Sequence, residues 1–169
     1  NILSVHSDKL GKEIKNLQDI LPVVQEQIEE LAKKKTGIIG VPTGFHDLDK
    51  KTRGFIKNQL IILAGRPGSG KSTLALNIAI NAATLAKKTV AFFSLEMAAE
   101  EIVKNMYRAV GRIDGNILST GKLNNTDWKK FNEAQSELAD INFFIDDTAG
   151  ISVGEIRRKC RRIKNSDKG

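Results

Sequence analysis

Leu17, Ile20, Leu21, Val24, Ile28 and Leu31 recur at helical spacing, with polar residues at most positions between them. This predicts an amphipathic helix over about 17–34. Pro22 is compatible with that helix if Asp19 caps its start, because first-turn amides have no intrahelical acceptor. The lysine run at 33–35 suits a helix C-terminus, where the macrodipole favours cations. The helix finds no apolar partner in the sequence beside it. "TGIIGVPTG" follows as a connector, which sets a boundary near residue 36. The chain therefore reads as a segment 1–35 followed by a body 36–169. In the body the pattern alternates. Residues 59–64 are an apolar run, read as a buried strand, and 71–86 are rich in alanine and leucine, hence helical. Residues 89–95, "TVAFFSL", are β-branched and aromatic and predict a second strand. A helix over 98–110 carries Ile102, Met106 and Val110 on one face. A further helix spans 125–139, with Asn125 or Thr126 as its cap. "INFFID", 141–146, predicts a third strand. The last helix, 152–164, turns Val153, Ile156, Cys160 and Ile163 inward and its arginines outward. Strand–helix alternation of this kind defines an α/β fold with a parallel sheet and helices on its faces.

Composition narrows the class. A chain of 169 residues with 40% hydrophobic content can bury a core of its own. No apolar run approaches the roughly 18 residues needed to cross a bilayer, so no membrane partner is expected. Charges interrupt the first fifteen residues, which do not read as a signal peptide. The single cysteine, Cys160, excludes an internal disulfide and fits a cytoplasmic setting, and two distant histidines give no zinc pattern. The net charge is +7, unevenly placed. Residues 1–35 balance six basic against six acidic side chains, whereas 151–169 carry seven basic against Glu155 and Asp167. Such a tail can meet phosphate. The plainer reading is a solvated helix face, and Arg157 and Arg161 are assigned to it.

The candidate chemistry lies at the join of the first strand and its helix. Gly65-Arg66-Pro67-Gly68-Ser69-Gly70-Lys71-Ser72 fits G-x-x-x-x-G-K-[ST], with Thr73 continuing into the helix. Glycines let the backbone close around a ligand, successive amides point at phosphate oxygens, and the helix start adds the positive end of its dipole. Lys71 supplies a mobile charge for the β- and γ-phosphates, and the Ser72 hydroxyl suits Mg²⁺. Several charged hydrogen bonds of about 1.5–3 kcal/mol each would give micromolar binding of a nucleoside triphosphate. Glu96, in "FFSLEM", falls at the carboxyl end of the next strand, where ligands of open parallel sheets bind. Its carboxylate suits activation of a water. Capping of the helix near Ala98 is an equally good reading of its position. Asp146 and Asp147, ending "FFIDD", have two readings as well: a magnesium-holding aspartate at a strand end, or caps of the turn "DDTAG".

Taken in order, "TGIIGVPTGFHDLDKKTRGF", "LIILAGRPGSGKSTLALNIA", "FFSLEM", "STGKL" with "DW" after it, and "FFIDDTAGISVGEIRRKCRR" resemble replicative DNA helicases of the bacterial and phage DnaB type. The likeness runs from about residue 17 to the end. "PTGF-x-x-LD" and "SLEM" make it narrower than the phosphate loop alone. The resemblance implies a RecA-like core whose members form hexameric rings on single-stranded DNA, hydrolyse ATP with Mg²⁺, translocate and unwind duplex. It implies that 17–34 is a linker helix docking on an adjacent subunit, so that the chain is a homo-oligomer, with primase and a helicase loader as partners. It makes Glu96 and Lys71 the catalytic residues, residues 65–73 the nucleotide site and Ser72 the metal ligand. It further implies that the chain holds a linker helix and the first part of the motor domain. The Walker B strand, DNA loops and arginine finger would then lie past Gly169, which leaves Asp146 and Asp147 on an earlier strand. Two other readings are a non-catalytic nucleotide-binding and oligomerisation module, and another RecA-like ATPase.

Overall fold

The computed structural model describes residues 16–33 and 37–166, which separate into two units meeting at Gly37 and Ile38. The expected boundary near residue 36 and residues 1–15 of the neutral segment 1–35 lie outside the described residues.

In the first unit, α1 spans Leu17–Lys33. Its cap is Asn16, not Asp19: the Asn16 Oδ1 accepts from the Gln18 amide at 3.2 Å. A short side chain just ahead of the first turn reaches the orphan amides, whereas Asp19 is already inside that turn. Pro22 consequently sits in the helix interior, where it removes the bond to the Gln18 carbonyl. Leu17, Leu21, Val24 and Ile28 are exposed.

In the second unit, a short helix α2, His46–Thr52, is wrapped by a paired segment. Val41 and Phe55 form an antiparallel bridge, with N–H to O distances of 2.9 and 2.7 Å. The buried Asp49 carboxylate takes the Thr43 and Gly44 amides at 2.8 and 3.1 Å. The Asn81 amide donates to the Thr43 carbonyl at 2.9 Å, tying the wrap to α3, Lys71–Thr84. The segment "PTGFHDLD" is thus a clasp in which one carboxylate satisfies two otherwise unmet backbone donors.

Next come β1, Val90–Phe93, and α4, Ala99–Gly111, then the short α5, Gly115–Thr120. They are followed by α6, Asn125–Ala139, by β2, Phe143–Asp146, and by α7, Val153–Asn165. The strands β1 and β2 pair in parallel, Val90 opposite Phe143 and Phe93 opposite Asp146. Leu76 and Ile80 of α3 and Ile102 and Met106 of α4 form the buried core, with Phe92, Phe143 and Ile145 of the sheet packed against them. Tyr107 stacks on Phe131 at 4.3 Å between ring centres, joining α4 to α6. Two capping boxes start helices: Asn124 with Asp127 for α6, and Ser152 with Glu155 for α7. The α6 cap is therefore Asn124, ahead of the expected Asn125 or Thr126.

Two further expectations are corrected. Residues 59–64 are not a buried strand: they join no ladder among the described residues, and Leu60 to Leu63 are 88, 46, 81 and 45% exposed. That alternation is the period-two signature of a strand with one face inward, but no strand among the described residues pairs with it. On α7, Val153 and Cys160 are exposed, while Ile156 and Ile163 are half-buried. Two inward positions are enough for a helix that leaves a cavity of about 480 Å³ between itself and the sheet.

Candidate nucleotide site

The loop from Gly65 to Gly70 closes on itself before α3 begins. The Ser69 amide donates to the Arg66 carbonyl at 3.1 Å, and the Lys71 ammonium donates to the same oxygen at 3.3 Å. Gly68 and Gly70 have φ of +74° and +83°, in the left-handed region that a side chain disfavours. A Cβ on either would meet nothing within 4 Å, so the space beside them is open. At Gly65 the constraint is contact instead: a Cβ there would lie 2.6 Å from the Ser69 Oγ. Gly70 is the N-cap of α3 and has no side chain to spend on it, so the first-turn amides of Lys71, Ser72 and Thr73 keep no intrahelical acceptor. Lys71 is half-buried, and Ser72 and Thr73 are exposed. This is the donor set a polyphosphate requires: free amides at a helix start, one ammonium and one hydroxyl. The expected loop residues 65–73 are thus brought together in one turn. The residues present fit a nucleotide with a divalent ion.

Glu96 lies in the turn between β1 and α4, exposed, and forms no hydrogen bond or ion pair among the described residues. It is not the helix cap. Ala98 occupies that position, and the Ala99 amide donates instead to Asp147 Oδ2 at 2.9 Å, from the end of β2. Asp146 turns elsewhere: it pairs with Lys159 of α7 and accepts from the Thr148 amide at 3.1 Å. The Lys159 ammonium, followed by the Thr148 hydroxyl and amide, pulls the Asp146 carboxyl from 3.8 down to about 2. Glu155 is also held below its usual range, by the Ser152 amide and hydroxyl it accepts. Asp146 thus caps its own turn, as the capping reading had it, whereas Asp147 caps the start of α4, 48 positions away, instead of that turn. No group of three His, Cys, Asp or Glu side chains gathers as a metal site among the described residues. No helix among them is long and apolar enough to cross a membrane.

A parallel α/β layer with a phosphate loop opening α3 and a carboxylate beyond the next strand defines an ATPase domain of the RecA-like, phosphate-loop class. The sequence matches the family described as DnaB-like helicase C terminal domain over residues 40–169, and the chain belongs to that family. It is 47% identical over 163 residues to the replicative DNA helicase DnaC of Bacillus subtilis, and 45% to DnaB of Geobacillus stearothermophilus. Each alignment covers 96% of this chain and 36% of the relative, so the chain spans about a third of those proteins. Among solved structures it is similar to the ATPase domain of G40P, with a TM-score of 0.82 and 31% identity over 92% of this chain and 55% of that one. It is also similar to a DnaB-like replicative helicase described with its primase interactions, with a TM-score of 0.76 and 31% identity over 92% of this chain and 37% of that one.

Proposed function

We propose that this chain supplies the nucleotide-binding part of an ATP-driven replicative DNA helicase. The observation that carries the reading is the loop at the start of α3, whose Gly68 and Gly70 are left-handed and bordered by open space, within a chain of the DnaB-like family. The amides of the loop and of the first turn of α3 bind the phosphates, and Lys71 leaves the Arg66 carbonyl to reach them. Ser72 holds the magnesium ion, which when bound neutralises phosphate charge. Glu96, exposed and without an ion pair among the described residues, orients the attacking water and takes its proton. The exposed apolar residues of α1 support assembly of a hexameric ring through that helix. Single-stranded DNA inside the ring, a primase and a loader complete the proposal. The primase contact is supported by the description of the structural relative. An apolar strand from the rest of the protein, supplying the Walker B aspartate, would give residues 59–64 the neighbour their alternating exposure calls for.

Two variants of the full-length protein test this. Lys71→Ala removes at least one charged hydrogen bond of about 1.5–3 kcal/mol, so triphosphate affinity falls roughly 10- to 100-fold. Glu96→Gln keeps the affinity and loses steady-state ATP turnover. Unchanged affinity in the first variant, or undiminished turnover in the second, rejects the corresponding assignment.

A further inference from the structure

We propose that Asp147 and Ser94 are positioning residues for Glu96, and that the end of β2 sets where that carboxylate stands. This rests on the reading of Glu96 given above. Glu96 forms no hydrogen bond or ion pair among the described residues, so its place is set by the backbone from Phe93 to Ala99. That backbone is held at three points. The Ser94 amide donates to the Asp146 carbonyl at 2.8 Å, which ends β1 against β2. The buried Ser94 hydroxyl then closes the turn on itself, donating to the Met97 carbonyl at 2.7 Å and accepting from the Met97 amide at 2.9 Å. At the far end the Ala99 amide donates to Asp147 Oδ2.

The last contact is the unusual one. Ala98, the N-cap of α4, has no side chain able to cap. The acceptor comes from a residue 48 positions away, just past the end of the neighbouring strand. A local serine or aspartate at position 98 would stabilise the helix as well. The cross-strand cap does something a local one does not: it fixes the start of α4 relative to β2. With Ser94 fixed to the same strand, both ends of the turn share one reference. Asp146 and Asp147 divide the work, the first side chain taking Lys159 of α7 and the second taking α4. Holding a reacting group in place ahead of the reaction lowers the ordering cost of each turnover.

The test is made in the full-length protein with Asp147→Ala, Asp147→Asn, Ser94→Ala and Glu96→Gln. Asparagine caps helices as well as aspartate does, because its oxygen accepts the same amide. Asp147→Ala and Ser94→Ala are expected to lower kcat for ATP roughly 10- to 100-fold, the scale of a misplacement of about 1 Å. KM and nucleotide affinity should stay within about twofold. Asp147→Asn should restore most of the rate. Hydrogen exchange followed by mass spectrometry should show residues 94–99 opening in both alanine variants, while the rest of α4 and the phosphate loop stay protected. If residues 94–99 open and kcat holds, Asp147 is only a helix cap and the proposal fails. It fails equally if Asp147→Asn is as slow as Asp147→Ala, or if exchange at 94–99 does not change. Full turnover in Glu96→Gln overturns the underlying reading of Glu96 instead, whatever the Asp147 variants do.

Discussion

Replacing Gly68 by alanine isolates the backbone contribution to nucleotide binding. Gly68 has φ +74°, and a Cβ there meets nothing within 4 Å, so the substitution adds strain without adding a clash. An L-residue pays about 1–2 kcal/mol to hold the left-handed conformation. Nothing packs against the position, so the variant loop relieves that strain by leaving its conformation locally, without unfolding the domain. A bound polyphosphate must then restore it, and the strain appears as lost affinity. One to two kcal/mol corresponds to roughly 5- to 30-fold weaker binding. Titration of the full-length protein with a fluorescent ATP analogue measures this, alongside Tm. The companion variant Gly65→Ala works by contact, since its Cβ would sit 2.6 Å from the Ser69 Oγ. Its defect should be relieved by a second change, Ser69→Gly, whereas that change cannot rescue Gly68→Ala. Affinity held within about twofold in Gly68→Ala, or lost Tm with intact affinity, would refute the argument that this turn is shaped for its ligand.

Two further outcomes follow from packing and from charge. Ile102 is fully buried between α3 and the sheet, and Ile102→Ala should cost about 2–5 kcal/mol through lost transfer energy and the cavity left behind. Denaturant unfolding reads this directly, and a loss under about 1 kcal/mol would mean that Ile102 is not at the core. Asp146 gives a pH dependence. Its carboxyl is depressed from 3.8 to about 2 in the folded protein, chiefly by Lys159. A depressed carboxyl stabilises the fold above its unfolded pKa, and that contribution disappears as pH falls through the folded value. Thermal unfolding of the parent and of Lys159→Met should therefore differ by a constant amount above pH 3.8, with the gap closing toward pH 2. A gap that persists at the acid end would assign the effect to the packing of the lysine stem instead.

The sequence announces some of this architecture and conceals the rest, and the division follows the range of the interactions. The phosphate loop is readable because its chemistry is contiguous: nine consecutive residues contain the turn, the ammonium, the hydroxyl and the helix start. Helices α3, α4 and α6 are readable because three or four turns repeat an apolar period. The helices α2 and α5 have seven and six residues, too few for a period to appear, and both escape a pattern search. Residues 59–64 show the opposite failure. Their apolar run reads as a strand of a sheet interior, but burial belongs to the assembled sheet, and a strand's neighbours are not encoded beside it. Ser94 and Asp147 are the sharpest case. Each looks like an ordinary turn residue in its own neighbourhood. What joins them to one task is the register that sets Phe93 opposite Asp146. A slip of one residue would reverse which face every side chain of β2 presents, taking Ile145 from the core and Asp147 from the Ala99 amide together. The apolar packing of β2 therefore enforces the polar contact at its end, and the placing of Glu96 depends on core residues that come nowhere near the nucleotide loop in sequence.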